Sequence, residues 1–274
     1  MSEPATEPAT GPTREPVRYD LEQGVATITL DRAEAMNGLD VPTKEGLLAA
    51  VRRAADDAEV RCVVLTGSGR AFCVGQDLKE HQRTLGDPDA PPLDTVKQHY
   101  NPIVTALVTM PKPVVAAVNG VAAGAGVSLA LACDFRVMAE PAGFNLAFAG
   151  IALSCDTGSS WTLPRLVGRA KALELLYFPR TIGSEEALSL GLVTTVVPAD
   201  RLAEEVAGLA RRLADGPTAA YGAIRRSVEH AAGHSFTEAL DFEAEMMAMT
   251  GQTRDHHAAV AAFVEKRKPE FEGR

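Results

Sequence analysis

Residues 113–134 constrain the fold most, because they indicate a strand, a cluster of small residues and a helix in succession. Residues 114–118 are apolar, mostly β-branched, and lie between a proline and Asn-Gly, which predicts a buried strand. The small residues 124–126 permit a close approach to the backbone. The residues from Val127 onward favour a helix. Ala125 is therefore expected near a helix N-terminus, where free amides stabilise negative charge.

This glycine cluster matches three common motifs only in part. A dinucleotide-binding fingerprint requires Gly or Ala where Leu129 stands, and the Gly-Lys-Ser/Thr of a P-loop is missing. Residues 126–130 resemble the nucleophile elbow of serine hydrolases but end in alanine instead of glycine. The cluster taken alone indicates either a backbone site for an oxyanion or a turn that packs a strand against a helix.

A second apolar strand is predicted at residues 61–67, and it also ends in glycine. The loop that follows, residues 71–78, is expected to offer backbone amides as well. Further elements are predicted as strands at 25–30 and 135–139, a helix at 43–57, and helices from residue 201 onward. Strand–turn–helix units that repeat in this way indicate an α/β fold.

Together these segments resemble the crotonase, or enoyl-CoA hydratase/isomerase, family. Its first loop pattern, A-F-x-x-G-x-D-[LI], is present at residues 71–78. Its second pattern, K-P-x-[IV]-A-A-[VI]-x-G-x-[AC]-x-G-[GA]-G, is present at residues 112–126. The resemblance covers about residues 17–271 and implies an α/β fold. It implies a ββα spiral over residues 17–200 and a C-terminal helical oligomerisation region over residues 201–274.

The resemblance also implies the substrate, an acyl-CoA thioester. Its carbonyl oxygen is expected to accept hydrogen bonds from the backbone amides of Gln76 and Ala125, which would stabilise an enolate. Backbone geometry is expected to matter more here than either side chain. Since CoA is part of the substrate, neither a separate cofactor nor a metal is expected. Neighbouring residues on a helix point apart, so His256 and His257 are not expected to form a metal site.

Further positions match residues of the family that contact the acyl-CoA. These are, in chain order, Ala35, Ala71, Gln76, Asp77, Leu78, Lys79, Ala125, Ser128, Phe148, Trp161, Phe263 and Lys266. Trp161 is expected either to line the acyl pocket or to fill the core. Phe263 and Lys266 belong to a tail that often contacts CoA from a neighbouring subunit, and the family usually forms trimers or hexamers. For His99 and Tyr100 two placements stay open, the active site, entered from the helix after the mobile loop, or the surface, and the surface is favoured.

The sequence departs from the hydratases of this family at their acidic positions. Ser128 and Phe148 stand where hydratases carry the glutamates that hold water and supply a proton. Asp156 stands where most hydratases have glycine, and relatives that isomerise dienoyl-CoA or open an epoxide use an aspartate there. An apolar wall would raise the pKa of Asp156 and suit it to moving a proton. The alternative is that Asp156 is a turn residue or a helix cap.

Three functions follow from these residues. The favoured one is an acyl-CoA isomerase in which Asp156 moves a proton along the acyl chain. The second is a hydratase or a CoA-thioester hydrolase whose water is held by Asp156 and Ser128. The third is an acyl-CoA-binding subunit that keeps the oxyanion loops and has lost the acids.

Composition limits the partners and the location. A net charge of −9 argues against nucleic acid as the main partner. The sequence has no apolar run long enough to span a membrane, so no membrane partner is expected. Four scattered cysteines indicate reduced thiols and a cytoplasmic protein. Residues 1–16, rich in Pro, Thr, Ala and Glu, are predicted to form a disordered tail, and residues 86–92 a mobile loop.

Overall fold

The computed structural model describes residues 15–86 and 93–274. The tail predicted at residues 1–16 lies outside the described residues, except for Glu15 and Pro16. The loop predicted at residues 86–92 also lies outside them, except for Gly86.

The described residues contain two sheets. Their strands are β1 (Val17–Glu22), β2 (Val25–Leu30), β3 (Cys62–Gly67), β4 (Ala71–Cys73), β5 (Val114–Val118), β6 (Val121–Ala123), β7 (Phe135–Ala139), β8 (Gly143–Asn145), β9 (Ile182–Gly183) and β10 (Thr195–Val197). The larger sheet has the order β1-β2-β3-β5-β7-β10 and is parallel except for the β1–β2 pair. The smaller sheet has the order β4-β6-β8-β9, with only β9 antiparallel to its neighbour.

Helices connect and cover these strands. They are α1 (Val41–Asp56), α2 (Leu78–Leu85), α3 (Asn101–Thr109), α4 (Ala125–Leu131), α5 (Ser159–Val167), α6 (Arg169–Tyr177), α7 (Ser184–Ser189), α8 (Leu202–Ala214), α9 (Thr218–Ala231), α10 (Phe236–Thr250) and α11 (Arg254–Val264). Helix α1 begins where the Asp40 carboxylate accepts the Thr43 N–H, at 3.0 Å. A π-helical turn, Val96–Tyr100, leads directly into α3.

The described residues contain a strand–strand–helix unit three times in succession. In β3-β4-α2, β5-β6-α4 and β7-β8-α5, the first strand joins the larger sheet and the second joins the smaller one. Successive units are adjacent in both sheets, so the path is a spiral. The ββα spiral implied by the resemblance is therefore confirmed, and so is the α/β fold class.

The apolar run of residues 114–118 forms an interior strand of the larger sheet. All five residues of β5 are buried, because β3 and β7 pair with its two edges and helices cover the sheet. The helix that follows begins at Ala125, two residues earlier than the sequence pattern suggested. Gly124 allows this early start, since its φ of 49° turns the chain sharply into the helix.

The region after residue 201 is helical, as the sequence predicted. Helix α8 packs on the larger sheet through Ala210, Leu213 and Ala214, whereas α10 has no buried residue. After α11 the chain returns to its own surface, where the Asp255 carboxylate accepts the Glu272 and Gly273 N–H groups at 2.7 and 2.8 Å. Among the helices of the described ranges, none combines the length and apolar character needed to cross a membrane.

Candidate active site

The two glycine-rich loops lie against each other at the ends of β4 and β6. Gly75 has a φ of 80°, and a Cβ there would lie 2.8 Å from the Ala123 carbonyl oxygen and 3.2 Å from the Ala125 nitrogen. A Cβ on Gly126 would lie 2.0 Å from the Cys73 carbonyl oxygen, closer than real Cβ atoms approach. The two loops therefore meet at a distance that only glycine permits.

This contact brings two unused backbone donors to one place. Leu39 donates its N–H to the Gly75 carbonyl oxygen at 2.7 Å. Because C=O and N–H point in opposite directions across a trans peptide, the Gln76 N–H is directed away from Leu39. Ala125 is the first residue of α4, so its N–H has no acceptor within the helix. In the part of the chain that the structure describes, neither amide donates a hydrogen bond.

Both residues line one cavity of about 140 Å³, together with Leu78, Phe148 and Asp156. These five predicted site residues come from four separate parts of the sequence, since Gln76 and Leu78 belong to the same loop. The remaining lining residues are mainly apolar, and they are Val74, His81, Leu93, Thr95, Val96, Tyr100, Ala123, Gly124, Ala147, Ile151 and Leu153. Among the described residues, the lining therefore combines hydrogen-bond donors, a single carboxylate and an otherwise mostly apolar wall.

Asp156 is partly buried in this wall. Burial raises the pKa of its carboxyl group, while a hydrogen bond from the Thr157 hydroxyl, at 2.8 Å, acts in the opposite direction. The side chain does not cap the next helix, since the N-cap of α5 is Gly158 and no side chain caps it. Only the backbone oxygen of Asp156 serves the turn, accepting the Ser159 N–H at 3.0 Å. The carboxylate thus remains directed to the cavity.

The chain turns sharply after Asp156. Thr157 and Gly158 have φ values of 52° and 83°, both in the left-handed region. This conformation is a genuine outlier for a β-branched residue and costs on the order of 1–3 kcal/mol. Thr157 is nevertheless almost fully buried, and its hydroxyl is held on the neighbouring carboxylate. Packing around Thr157 therefore maintains the turn that presents Asp156.

Ser128 lies behind the cavity instead of lining it. Its hydroxyl is fully buried, 2.6 Å from the Ser159 hydroxyl, and it also donates to the Gly124 carbonyl oxygen at 3.3 Å. No histidine of the described residues hydrogen-bonds to it, so the base of a serine hydrolase is missing there. The contact instead links the helix that begins at Ala125 to the helix that follows Asp156.

Three other predicted contact residues are not brought to this cavity. Trp161 lies in a separate surface groove, 42% exposed, with the Arg165 guanidinium 3.3 Å from its ring centre. It therefore neither lines the cavity beside Asp156 nor fills the core. Phe263 is 85% exposed near the end of α11. Lys266 follows that helix, and its backbone has a left-handed conformation. Their expected contact with CoA stays a prediction.

The remaining predicted residues flank the first loop. Ala71 is fully buried at the start of β4, while Ala35 ends a short 3-10 helix and its carbonyl accepts the Gly38 N–H. Asp77 caps α2 by accepting the Lys79 and Glu80 N–H groups. Burial acts to raise the pKa of Asp77, but these bonds and the Arg32 guanidinium outweigh it and lower that pKa. These contacts therefore hold Asp77 in place directly after Gln76.

The sequence did not reveal a polar cluster behind Gln76. Tyr100, expected at the surface, is 2% exposed, and its hydroxyl donates to Gln76 Oε1 at 2.6 Å. Burial raises the pKa of Tyr100, so the phenol stays protonated. Lys44, which is 1% exposed, donates to the same oxygen at 3.3 Å. A signal for Lys44 was present, since it shares the buried stripe of α1 with Leu47, three residues later.

No group of three or more His, Cys, Asp or Glu residues in ranges 15–86 and 93–274 is arranged to hold a metal ion. The four cysteines all lie in these ranges and none forms a disulfide. Burial raises the pKa of Cys62, Cys73 and Cys133 to about 12. These three thiols are therefore protonated and unreactive at neutral pH.

Comparison with known proteins identifies the family of this arrangement. The sequence pattern described as enoyl-CoA hydratase/isomerase matches residues 20–274. A Rhodobacter capsulatus protein named probable enoyl-CoA hydratase is 42% identical over 94% of this chain and 98% of its own length. The 1,2-epoxyphenylacetyl-CoA isomerase of Escherichia coli is 38% identical over 93% of this chain and 97% of its own length.

Solved structures agree with the sequence relatives. A putative enoyl-CoA hydratase/isomerase from Mycobacterium abscessus superposes with a TM-score of 0.90 at 43% identity, covering 94% of this chain and all of the other. The similarity of sequence and fold extends over nearly the whole chain, and the geometry of the two loops agrees with it. The chain belongs to the enoyl-CoA hydratase/isomerase family.

Proposed function

We propose that the protein is an acyl-CoA isomerase in which Asp156 is the proton carrier. The observation that supports this most is the composition of the cavity wall. Within the described ranges, one carboxylate with a raised pKa shares a mostly apolar cavity with two backbone amides that donate to no acceptor of the chain. The positions where hydratases of the family carry glutamate hold a buried serine and a phenylalanine. An isomerisation needs only one group that takes and returns a proton.

The reaction proposed is the conversion of a 3-enoyl-CoA to a 2-enoyl-CoA. The Asp156 carboxylate takes a proton from C2, and the electron pair moves onto the thioester oxygen to give a dienolate. The Gln76 and Ala125 N–H groups donate hydrogen bonds to that oxygen. Asp156 then returns the proton to C4, the electrons return from the oxygen, and the double bond ends between C2 and C3.

Hydration is the second candidate, and the name of the Rhodobacter relative favours it. It would require Asp156 both to hold a water molecule and to supply a proton, because Phe148 has no exchangeable proton and Ser128 is bonded to Ser159. The name of the Escherichia coli relative favours an isomerase instead. The proposal includes a cytoplasmic location, which the unpaired cysteines support.

The substitution Asp156→Asn tests the proposal. It keeps the shape of the side chain but removes the basic carboxylate, so turnover of a 3-enoyl-CoA should fall roughly a hundredfold or more. The affinity for the CoA thioester should change little. Turnover and deuterium incorporation next to the thioester are measured in D₂O by mass spectrometry, and the same samples are examined for 3-hydroxyacyl-CoA.

The matched control is Asp200→Asn, which makes the same chemical change on the exposed surface. It should retain full turnover. Undiminished isomerisation and exchange in Asp156→Asn would leave Asp156 as a turn residue only. If the unaltered protein forms mainly 3-hydroxyacyl-CoA from a 2-enoyl-CoA, the hydratase candidate replaces the isomerase.

A further inference from the structure

Lys44 is a buried charge that the proposed reaction does not use. It lies on the apolar face of α1, and its ammonium group donates to Thr95 Oγ1 at 2.8 Å and to Glu80 Oε1 at 3.2 Å. A third bond goes to Gln76 Oε1, at 3.3 Å. Burying an ammonium group is unfavourable unless it is paired and hydrogen-bonded. The cluster of Lys44, Gln76, Glu80, Thr95 and Tyr100 is therefore expected to have a function that offsets this cost.

Each other member of the cluster hydrogen-bonds to the Gln76 side chain or to a residue that does. Gln76 Oε1 accepts from both Lys44 and Tyr100, while Gln76 Nε2 donates to Glu80 Oε1 at 3.2 Å. The amide group is therefore held at both ends and cannot turn over without losing bonds. Glu80 is itself fixed from α1, because its Oε2 accepts the Val41 N–H at 2.9 Å.

The cluster also holds the cavity wall. Three of the cavity-lining residues, Gln76, Thr95 and Tyr100, contact Lys44, which lies behind them. They come from two separate segments of the chain, one after β4 and one before α3. Lys44 therefore joins these two sides of the cavity at the residue that presents the first oxyanion-binding amide.

We propose that Lys44 is a positioning residue for the backbone N–H of Gln76. The inference rests on the proposed function, because it takes that N–H to be a donor to the thioester oxygen. The hydrogen bond from the Leu39 N–H to the Gly75 carbonyl fixes the peptide group that contains the Gln76 N–H. The cluster fixes the Gln76 side chain. A donor held in this way needs no reorganisation when charge develops on the oxygen.

A purely structural role for Lys44 makes a different prediction. Lys112 is a second buried lysine at the opposite end of α1, where it donates to the Ala54 and Asp57 carbonyl oxygens at 2.7 and 2.5 Å. If Lys44 only stabilised α1, replacing either lysine would have the same kind of effect. If Lys44 positions Gln76, only its replacement alters the hydrogen bond to the substrate carbonyl.

The test measures that hydrogen bond directly. Butanoyl-CoA labelled with ¹³C at the carbonyl is bound to the protein, and the carbonyl stretching frequency is compared with that of the free thioester by infrared difference spectroscopy. The unaltered protein should lower the frequency. Lys44→Met should lower it less and should reduce turnover of a 3-enoyl-CoA about ten- to a hundredfold, as expected for a slightly misplaced group. Butanoyl-CoA affinity should stay close to that of the unaltered protein.

Two further variants keep the test decisive. Lys44→Met leaves Glu80 unpaired, so the double variant Lys44→Met with Glu80→Gln provides a neutral cluster. Tyr100→Phe removes only the hydroxyl that donates to Gln76 Oε1 and should also reduce the frequency shift. Lys112→Met should keep the full shift and the full turnover, even if it unfolds at a lower temperature.

The outcomes separate this proposal from the proposed function. A normal carbonyl shift and normal turnover in folded Lys44→Met, or in the double variant, would overturn the positioning role and leave the isomerase proposal intact. An equal loss of shift in Lys112→Met would also overturn it. A carbonyl with no shift in the unaltered protein would overturn both, since no oxyanion site would then exist.

Discussion

At the scale of single residues, the contact between Thr157 and Asp156 opposes the larger effect of burial on the pKa of the proposed proton carrier. The carboxyl group is subject to two opposed effects, because burial favours its neutral form and the Thr157 hydroxyl favours its charged form. A general base works only when it is ionised. The balance therefore determines the pH above which Asp156 accepts a proton.

Thr157→Val removes the hydroxyl and keeps the β-branched shape. Since the lost hydrogen bond had lowered the pKa of Asp156, that pKa should rise further. The acid-side limb of the pH profile of kcat/KM should consequently move to higher pH, with the rate on the plateau little changed. The measurement is kcat/KM against pH, which reports on the free enzyme. Thr157→Ser retains the hydroxyl and should keep the original limb; a limb that moves to lower pH in Thr157→Val would contradict the argument.

The sequence predicted the residues that line the cavity better than the residues that hold them in place. Ala125 was found because a glycine cluster marks it, and Asp156 because the family resemblance places it where most hydratases have glycine. The favoured surface position of Tyr100 was wrong and the alternative position in the active site was right, because a lone aromatic after a polar stretch carries no sign of what covers it. Lys44 was missed because its partners Glu80 and Thr95 are distant in sequence, and only folding brings them together.

At the scale of elements, the position of α4 relative to β4 determines where the Ala125 amide lies, the second of the two proposed to bind the oxyanion. Gly126 rests on the Cys73 carbonyl oxygen so closely that no side chain fits between them. Any added atom must therefore shift α4, and Ala125, one residue earlier, shifts with it. The start of the helix and the end of the strand are therefore in direct contact at Gly126.

Gly126→Ala is expected to disturb this contact. The added methyl group would meet backbone atoms, which cannot rotate away, so the free energy of unfolding should fall by roughly 1–3 kcal/mol. Turnover should fall by more than the loss of folded protein explains, because the Ala125 N–H moves. Both are measured, by thermal unfolding and by steady-state assay.

Gly208→Ala is the control for this substitution. Gly208 lies inside α8, and a Cβ there meets nothing within 4 Å. Alanine should be neutral or stabilise that helix by about 0.5–1 kcal/mol, with unchanged turnover. Full activity and stability in Gly126→Ala would show that the close contact is not needed.

Element prediction succeeded where length or periodicity was sufficient. The strands at residues 25–30 and 135–139 were identified to the residue, because each is bounded by turn residues and rich in apolar side chains. The strands β4, β6 and β8 have three residues each, too few to show alternation. The smaller sheet therefore followed from the family resemblance and not from residue patterns.

At the scale of the whole molecule, the C-terminal helices leave large apolar side chains uncovered. Phe236 and Phe263 are 78% and 85% exposed, and Met247, Val264 and Val228 are also exposed. Large exposed apolar patches mark interaction surfaces. The exposed apolar residues support the proposal that residues 201–274 form an oligomer interface.

The protein is expected to be a trimer or a hexamer in solution. Light scattering after gel filtration should give the mass of three or six chains at micromolar concentration. The double substitution of Phe263 and Val264 by Ser should shift the protein toward monomer, because it removes apolar area from the interface. Lys268→Ser, on the same exposed tail, should not. A monomeric unaltered protein would contradict the predicted assembly.

The wall between the cavity and its neighbour has a consequence for how such proteins diverge. Phe148 and Leu153 line both the cavity of about 140 Å³ and an adjacent groove of about 500 Å³. Shortening either side chain is therefore expected to join the two spaces. If the proposed function holds, one substitution would then widen the range of acyl groups while the amides of Gln76 and Ala125 stay in place. Substrate range and carbonyl chemistry would in this sense evolve separately.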